Sequence, residues 1–180
     1  MSDRDVLVLA EVQRDALADV ALELLAAARA IAAATGGEVV ALVLSGDGAP
    51  YTTTLGAADR ILVVDNPQLA AYAPGPYLAA LEEIVAAEKP RAVLIGATSI
   101  GWDMAPMLAA RLKAPLFAEG HDWSVASESG RLVYQDEQGL LDLPAPRLFG
   151  RHQLDNAGLA IAALRASAIA GLPPEAFEAG

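Results

Sequence analysis

The chain of 180 residues contains no cysteine. Disulfides, thiolate metal ligands and thiol nucleophiles are therefore excluded, as is typical of a cytoplasmic protein. No uninterrupted apolar run reaches the roughly 18 residues of a membrane span, although 54% of the chain is hydrophobic. Residues 1–5 carry acids and lead directly into an apolar run, so we expect no secretory signal. These absences predict a cytoplasmic protein that does not enter membranes.

Basic residues are also scarce. The chain has two lysines and ten scattered arginines, and its net charge is −11. Surfaces that follow a nucleic-acid backbone need clustered cations, and an aromatic content of 5% leaves few platforms for base stacking. We expect no nucleic-acid partner.

The first two thirds of the chain alternate between apolar runs and amphipathic segments. The apolar runs are typical of strands buried on both faces of a parallel sheet, and the amphipathic segments of helices that cover it. We predict strands at residues 6–10, 38–44, 60–65 and 92–95, helices at 16–35 and from 74, and a short or irregular helix before Gly56. The order predicts a Rossmann-like three-layer α/β/α fold with a mainly parallel sheet.

The pattern changes after Lys113. Three β-like runs, residues 115–125, 131–136 and 140–143, are separated by turns that contain Gly130 and Gly139, which favours an antiparallel excursion. A helix is predicted at residues 152–168. We expect one α/β domain over residues 1–180, in which the part from 117 to 180 completes the sheet begun by residues 1–116.

The turn after the fourth predicted strand is the strongest candidate for a ligand site. There Gly96-Ala-Thr-Ser-Ile-Gly-Trp-Asp-Met-Ala-Pro106 joins a buried strand to a helix. Free N–H groups and the helix dipole at such a position favour phosphate or adenine, so Thr98 and Ser99 are candidate binding residues; capping of the helix is the alternative. Because proline is tolerated in the first turn, we expect this helix to start near residues 101–103.

Sequence motifs for catalysis are missing. Glu11-Val-Gln-Arg follows the first strand in place of a Gly-x-Gly-x-x-Gly fingerprint, and neither a phosphate-binding P-loop nor a Gly-x-Ser-x-Gly elbow occurs. No cysteine and no second cluster of candidate metal ligands accompanies His121 and Asp122 in the sequence. We therefore predict no catalytic residue and no metal site.

The Gly96–Pro106 motif, together with Ala109-Ala-Arg-Leu-Lys-Ala-Pro115 and Ala58-Asp-Arg-Ile-Leu-Val-Val-Asp65, resembles the N-terminal domain of the electron transfer flavoprotein alpha subunit over about residues 5–116. The resemblance implies a domain that packs against a flavoprotein beta subunit, while the flavin lies largely in a C-terminal domain. We therefore expect no FAD here. A beta subunit or a second copy of the chain is the expected partner, the latter through exposed apolar surface.

The remainder resembles a different family. Phe117-Ala-Glu-Gly-His-Asp-Trp123, Gly139-Leu-Leu-Asp-Leu-Pro144 and Leu148-Phe-Gly-Arg-His-Gln-Leu-Asp-Asn-Ala157 look like folylpolyglutamate synthase (dihydrofolate synthase), a relative of the Mur ligases. The resemblance implies that His152 and Asn156 lie at a nucleotide, with helix capping or solvation as the alternative. Ligation is not expected, because the P-loop is absent.

The two resemblances together predict a chimera joined near residues 112–117. We expect a non-catalytic α/β domain without a cofactor and without native activity. Two other functions are compatible with the sequence. One is a domain that binds AMP or ATP through Thr98, Ser99, His152 or Asn156, and the other is an electron-transfer partner domain.

Overall fold

In a computed structural model of the chain, residues 3–145 and 151–166 are described. The chain divides into two compact units, Met1–Leu116 and Phe117–Gly180, called here the N-terminal and C-terminal units. The expectation that both form one domain stays a prediction.

The N-terminal unit is built on a parallel sheet of four strands. These are β1 (Val6–Leu9), β4 (Val39–Ser45), β5 (Arg60–Asp65) and β6 (Ala92–Leu94), in the order β5-β4-β1-β6. The residues of β1 and β4 are buried throughout, because helices cover both faces of the sheet. The predicted α/β fold with a mainly parallel sheet is confirmed.

Three helices cover this sheet: α1 (Asp19–Thr35), α2 (Pro74–Glu88) and α3 (Ser99–Leu112). On one face, α2 and α3 share a core with alternate residues of β1 and β4. The remaining residues of those strands face the opposite layer, where α1 packs against the sheet. The core on the α2–α3 side consists of Leu7, Leu9, Val40, Leu42, Leu44, Leu69, Tyr77, Leu78, Leu81, Met104 and Leu108.

The start of α1 differs from the prediction. Residues 16 and 17 belong to a small hairpin of β2 (Val12–Gln13) and β3 (Ala16–Leu17), and α1 begins at Asp19. The turn is closed by Arg14 and Asp15 at φ 50° and 60°, and the Ala18 N–H donates to the Glu11 carbonyl at 2.9 Å. Local hydrogen bonding thus outweighs the helical spacing of the apolar residues.

The start of α3 also differs. The helix begins at Ser99, so Pro106 lies inside it rather than in its first turn. The reason is a side-chain cap: the Thr98 hydroxyl accepts a hydrogen bond from the Gly101 N–H at 3.0 Å. The cap fixes the start of α3 two residues before the predicted range. The helix tolerates the loss of the one backbone hydrogen bond that Pro106 cannot donate.

The connection between β4 and β5 is a 3₁₀ helix, Ala49–Leu55. The short or irregular helix predicted there is confirmed. Its three consecutive threonines, whose branched side chains disfavour the α-helix, explain why no longer helix forms.

The C-terminal unit contains an antiparallel sheet of β7 (Trp123–Glu128), β8 (Arg131–Asp136) and β9 (Gly139–Pro144), followed by α4 (Arg151–Ala166). The antiparallel excursion is confirmed. These strands form a sheet of their own, so the expectation that this part completes the parallel sheet is wrong for its described residues, 117–145 and 151–166. The predicted strand at residues 115–122 is also wrong, since Asp122 accepts the Ala118 N–H at 2.7 Å and closes a turn.

The C-terminal unit has its own core between the sheet and α4. Trp123 stacks on Tyr134 with ring centroids 5.9 Å apart, and the Arg165 guanidinium lies 5.4 Å from the Tyr134 centroid while it also pairs with Asp136. Leu132, Leu143, Ile161 and Ala162 complete this core. The predicted end of the last helix, residue 168, lies outside the described residues.

None of the described helices is both long and apolar enough to cross a membrane.

An ion pair at the start of β5 gives the N-terminal unit a dependence on pH. Arg29 donates to Asp59 at 2.7 Å and the Val39 N–H donates to the same oxygen at 2.8 Å. The bond from Arg29, followed by that from Val39, lowers the pKa of Asp59. The stabilisation of the folded state by this ion pair is therefore present above the unfolded-state pKa of about 3.9, and it is lost as the pH falls through the folded-state pKa.

We expect Asp59→Asn to lower the free energy of unfolding near pH 7 by about 0.5 kcal/mol, because the pair is partly exposed to solvent. The difference from the wild type should shrink as the pH falls below the unfolded-state pKa and disappear once the pH has passed the lowered folded-state pKa of Asp59. Urea denaturation over this range measures it, with Asp47→Asn as the matched control. A difference that stays constant with pH would contradict the assignment.

Candidate functional site

Polar side chains collect at the carboxyl edge of the parallel sheet, which we define as the loops that follow β1, β4, β5 and β6 and the helix starts that they enter. In open α/β sheets, ligands bind at this edge. It contains the predicted residues Thr98 and Ser99, and Glu11, which directly follows β1 and Ala10.

A buried carboxylate links β1 to the start of α3. Glu11 is only 4% exposed. Its Oε2 accepts the Thr98 hydroxyl at 2.6 Å, and its Oε1 accepts the Gln13 amide. The Thr98 oxygen in turn accepts the Gly101 N–H. One hydroxyl thus caps α3 and joins it to a residue 87 positions earlier in the chain.

Two glycines allow the backbone to close tightly at this position. A Cβ on Gly101 would lie 1.8 Å from the Gly96 carbonyl oxygen, and one on Gly96 would lie 2.8 Å from a methyl group of Val20. Any larger residue would push the first turn of α3 away from the end of β6. The Gly-x-x-x-x-Gly spacing here is a packing requirement of the backbone.

A second polar link joins α3 to the segment before α2. The Tyr72 hydroxyl donates to the Asp103 carboxylate, and the Tyr72 ring meets Tyr77 edge-on with centroids 5.1 Å apart. The Tyr77 hydroxyl donates to the Leu69 carbonyl at 3.2 Å. Burial, followed by the hydrogen bond to Asp103, raises the pKa of Tyr72. Tyr72 therefore remains a protonated donor at neutral pH.

The geometry around Thr98 favours capping over phosphate binding. Its hydroxyl proton is directed to Glu11, and the Gly101 N–H is directed to Thr98. A phosphate at this helix start would meet the Glu11 carboxylate, and the N–H groups of Thr98, Gly101 and Trp102 are already bonded. Ser99 is exposed. A ligand-binding role for Thr98 and Ser99 stays a prediction.

His152 and Asn156 both lie in the first half of α4, four residues apart. Their side chains lie outside the described part of the structure. Their predicted role at a nucleotide therefore stays a prediction.

The C-terminal unit has an open, largely polar cavity of about 560 Å³ beside β7 and β8. Of its charged lining residues, Asp122, Asp136 and Arg165 have partners: Asp122 bonds Ala118 and His121, and Asp136 bonds Arg165 and Tyr134. Among the residues described in either unit, no three His, Asp or Glu side chains are placed to hold a metal ion.

Sequence reasoning missed Glu11 and Tyr72. The signal for Glu11 was an acid at the end of a wholly apolar run, where a charge needs a buried partner. Tyr72 gave no comparable signal, because it lies in a loop and its partner Asp103 is 31 residues away.

Comparison with known proteins identifies the N-terminal unit. The family model described as the electron transfer flavoprotein domain matches residues 6–128. The chain belongs to the electron transfer flavoprotein family. The match runs past residue 116, where the predicted resemblance ended, to the end of β7.

Two curated members of the flavoprotein family illustrate the relationship. The acryloyl-CoA reductase electron transfer subunit beta of Anaerotignum propionicum is 36% identical over 120 residues, which are 66% of this chain and 33% of that protein. The electron transfer flavoprotein subunit alpha of Megasphaera elsdenii is 35% identical over 133 residues, 73% of this chain and 39% of that protein. The chain thus spans about a third to two fifths of the length of these relatives.

Among solved structures, a folylpolyglutamate synthase described as an FPGS-AMPPCP-folate complex aligns with 96% of this chain and 31% of that one. The TM-score is 0.36 and the sequence identity is 19%. A likeness at this level supports no conclusion about fold or function.

Proposed function

We propose that the chain acts as a non-catalytic partner domain of the electron transfer flavoprotein type, similar to the N-terminal domain of an alpha subunit, and that it packs against a flavoprotein beta subunit. Its relatives, which are named as subunits of electron-transfer proteins, support this role. The observation that carries it is the match of residues 6–128 to the electron transfer flavoprotein domain, and at the carboxyl edge of the sheet the polar side chains bind one another.

The internal bonding of this edge explains why we assign it no chemistry. Glu11 accepts from Thr98 and Gln13, and Asp103 accepts from Tyr72. A general base needs a lone pair that is directed at a substrate, whereas these carboxylates are held by protein donors. The arrangement stabilises the joints between β1, α2 and α3, as a rigid support for a partner requires.

The same edge does not fit the diphosphate of a flavin. Such a group needs free backbone N–H donors at a helix start, and here the Glu11 carboxylate and the Thr98 cap occupy that position. In the proposed role the flavin is therefore held elsewhere in the assembly. The alternative of adenine-nucleotide binding is tested by isothermal titration with AMP, ADP and ATP.

We also propose that the C-terminal unit derives from a folylpolyglutamate synthase, so that the chain is a chimera. The boundary between the compact units, Leu116 to Phe117, supports this origin because it coincides with the predicted junction. The flavoprotein match, which extends to residue 128, weighs against a junction at that point. An experimental structure of the full chain tests the origin: residues 117–166 should superpose strand for strand on the ligase, and a different strand order would contradict it.

The partner role predicts a stable complex. The electron transfer flavoprotein subunit alpha of Bacillus subtilis is 31% identical to this chain over 133 residues. The full chain, mixed with the beta subunit of that flavoprotein, is expected to co-elute with it on size-exclusion chromatography with light scattering. The chain alone should show no flavin absorbance after purification. Separate elution of the two proteins, or a yellow chain with a flavin spectrum, would contradict the proposal.

A further inference from the structure

An exposed aromatic side chain marks the outer surface of α3. Trp102 is 56% exposed, although its neighbours in the helix, Gly101 and Met104, are buried. Pro106 and Ala110 are exposed four and eight positions later and therefore share its side of the helix. We call Ser99, Trp102, Asp103, Pro106 and Ala110 the Trp102 face.

The Trp102 face is held rigidly. Thr98 caps the helix one turn before Trp102, and the Trp102 N–H donates to the Thr98 carbonyl at 2.8 Å. Tyr72 fixes the adjacent carboxylate of Asp103. A tryptophan side chain has only two rotatable bonds and loses little conformational freedom when it is covered, which is why tryptophan is frequent at the centres of protein interfaces.

The basic residues of the N-terminal unit are concentrated at one edge of its sheet. Seven of its eight basic residues lie at the amino edge, where strands begin and helices end, and only Arg14 lies at the carboxyl edge. Six acids lie at the carboxyl edge, so its formal charge is strongly negative. The amino-edge bases are Arg4, Arg29, Arg60, Lys89, Arg91, Arg111 and Lys113, and the carboxyl-edge acids are Glu11, Asp15, Asp19, Asp47, Asp65 and Asp103.

The backbone of α3 adds an acceptor to this face. Pro106 has no N–H, so the carbonyl of Trp102 receives no hydrogen bond from the residue four positions later. The Trp102 face thus carries an indole ring, a backbone carbonyl and the carboxylate of Asp103. Guanidinium and ammonium groups match this combination, because they donate hydrogen bonds and stack on an indole ring.

From these observations we propose that the Trp102 face docks a surface of a protein partner that carries arginine or lysine. The inference rests on the proposed function, since it locates the contact of a partner domain. A second copy of this chain fits the face poorly, because each copy carries a net charge of −11 and the copies repel each other. Trp102 is the anchor of the contact, and Asp103 together with the other acids of the carboxyl edge attracts the partner and orients it.

The two tryptophans of the chain allow a direct test. The full chain, labelled with 5-fluorotryptophan, should give two ¹⁹F resonances, assigned with Trp102→Phe and Trp123→Phe. On addition of the unlabelled Bacillus subtilis beta subunit, the Trp102 signal should shift or broaden. The signal of Trp123, which is buried in the core of the C-terminal unit, serves as the internal control.

Substitutions test the energetics with the same pair of proteins. Trp102→Ala should raise the Kd about tenfold or more, and Asp103→Asn should raise it about threefold, mainly through slower association. Leu22→Ala and Glu83→Gln, an exposed leucine on α1 and an exposed acid on α2, are matched controls and should change the Kd by less than about twofold. Added salt should weaken the wild-type complex more than that of Asp103→Asn.

The outcomes separate this inference from the proposed function. If the beta subunit co-elutes but the Trp102 resonance and the Kd of Trp102→Ala are unchanged, the docking face is wrong and the partner role stands. If the proteins do not associate, both are overturned. Binding that is insensitive to salt contradicts a cationic partner surface. Broadening of the Trp102 signal with chain concentration alone would identify a second copy as the occupant instead.

Discussion

Gly101→Ala is expected to destabilise the chain by about 3 kcal/mol or more. The new Cβ would lie 1.8 Å from the Gly96 carbonyl oxygen, a backbone atom that cannot turn away as a flexible side chain would. The first turn of α3 would have to move, and the contacts of Met104 and Leu108 with the core would be strained with it. Urea denaturation of the full chain, followed by circular dichroism, measures the loss.

Gly75→Ala is the matched control for this steric effect. Gly75 is the second residue of α2, and nothing lies within 4 Å of a Cβ added there. Since its φ is not positive, alanine should be neutral or stabilising by up to about 1 kcal/mol. Equal stability changes in the two variants would show that glycine at position 101 is not required for close packing.

Thr98→Ala is expected to lower the free energy of unfolding by about 2 to 4 kcal/mol. The change removes the cap of α3, which contributes about 1 kcal/mol. It also removes a donor from the buried Glu11 carboxylate, which costs about 1 to 3 kcal/mol. Thr98→Ser keeps the hydroxyl and should lose less than about 1 kcal/mol.

A double-mutant cycle with Glu11→Gln separates the two contributions. If the Thr98 hydroxyl and the Glu11 carboxylate stabilise each other, the double variant should lose less than the sum of the single changes. Strict additivity would mean that the 2.6 Å contact contributes nothing beyond the cap.

The strands of the N-terminal unit were predictable because they are buried on both faces. Runs such as Val6–Leu9 and Val39–Ser45 contain almost no polar residue, so their assignment as buried strands follows from composition alone. The start of α1 was not predictable. Ala16 and Leu17 fit a helical pattern, and only the bond from Ala18 to the Glu11 carbonyl shows that they belong to a hairpin.

Partners that are distant in sequence explain most of the other errors. Whether β7, β8 and β9 join the parallel sheet depends on pairings that no local pattern encodes. Thr98 could be recognised from its position before a helix, but its partner Glu11 lies 87 residues away. The sequence therefore indicated the position of the site. That a buried carboxylate lies there became clear only when the structure placed Glu11 beside Thr98.

The two outer strands of the parallel sheet bear on how the chain behaves at high concentration. An outer strand with unpaired backbone groups is a template for aggregation, and short length, charge and proline protect against it. β6 has only three residues between Pro90 and Gly96, and β5 begins and ends with the charged residues Arg60 and Asp65. Neither strand offers a long apolar edge, so growth of the sheet from one molecule into the next is blocked at both ends.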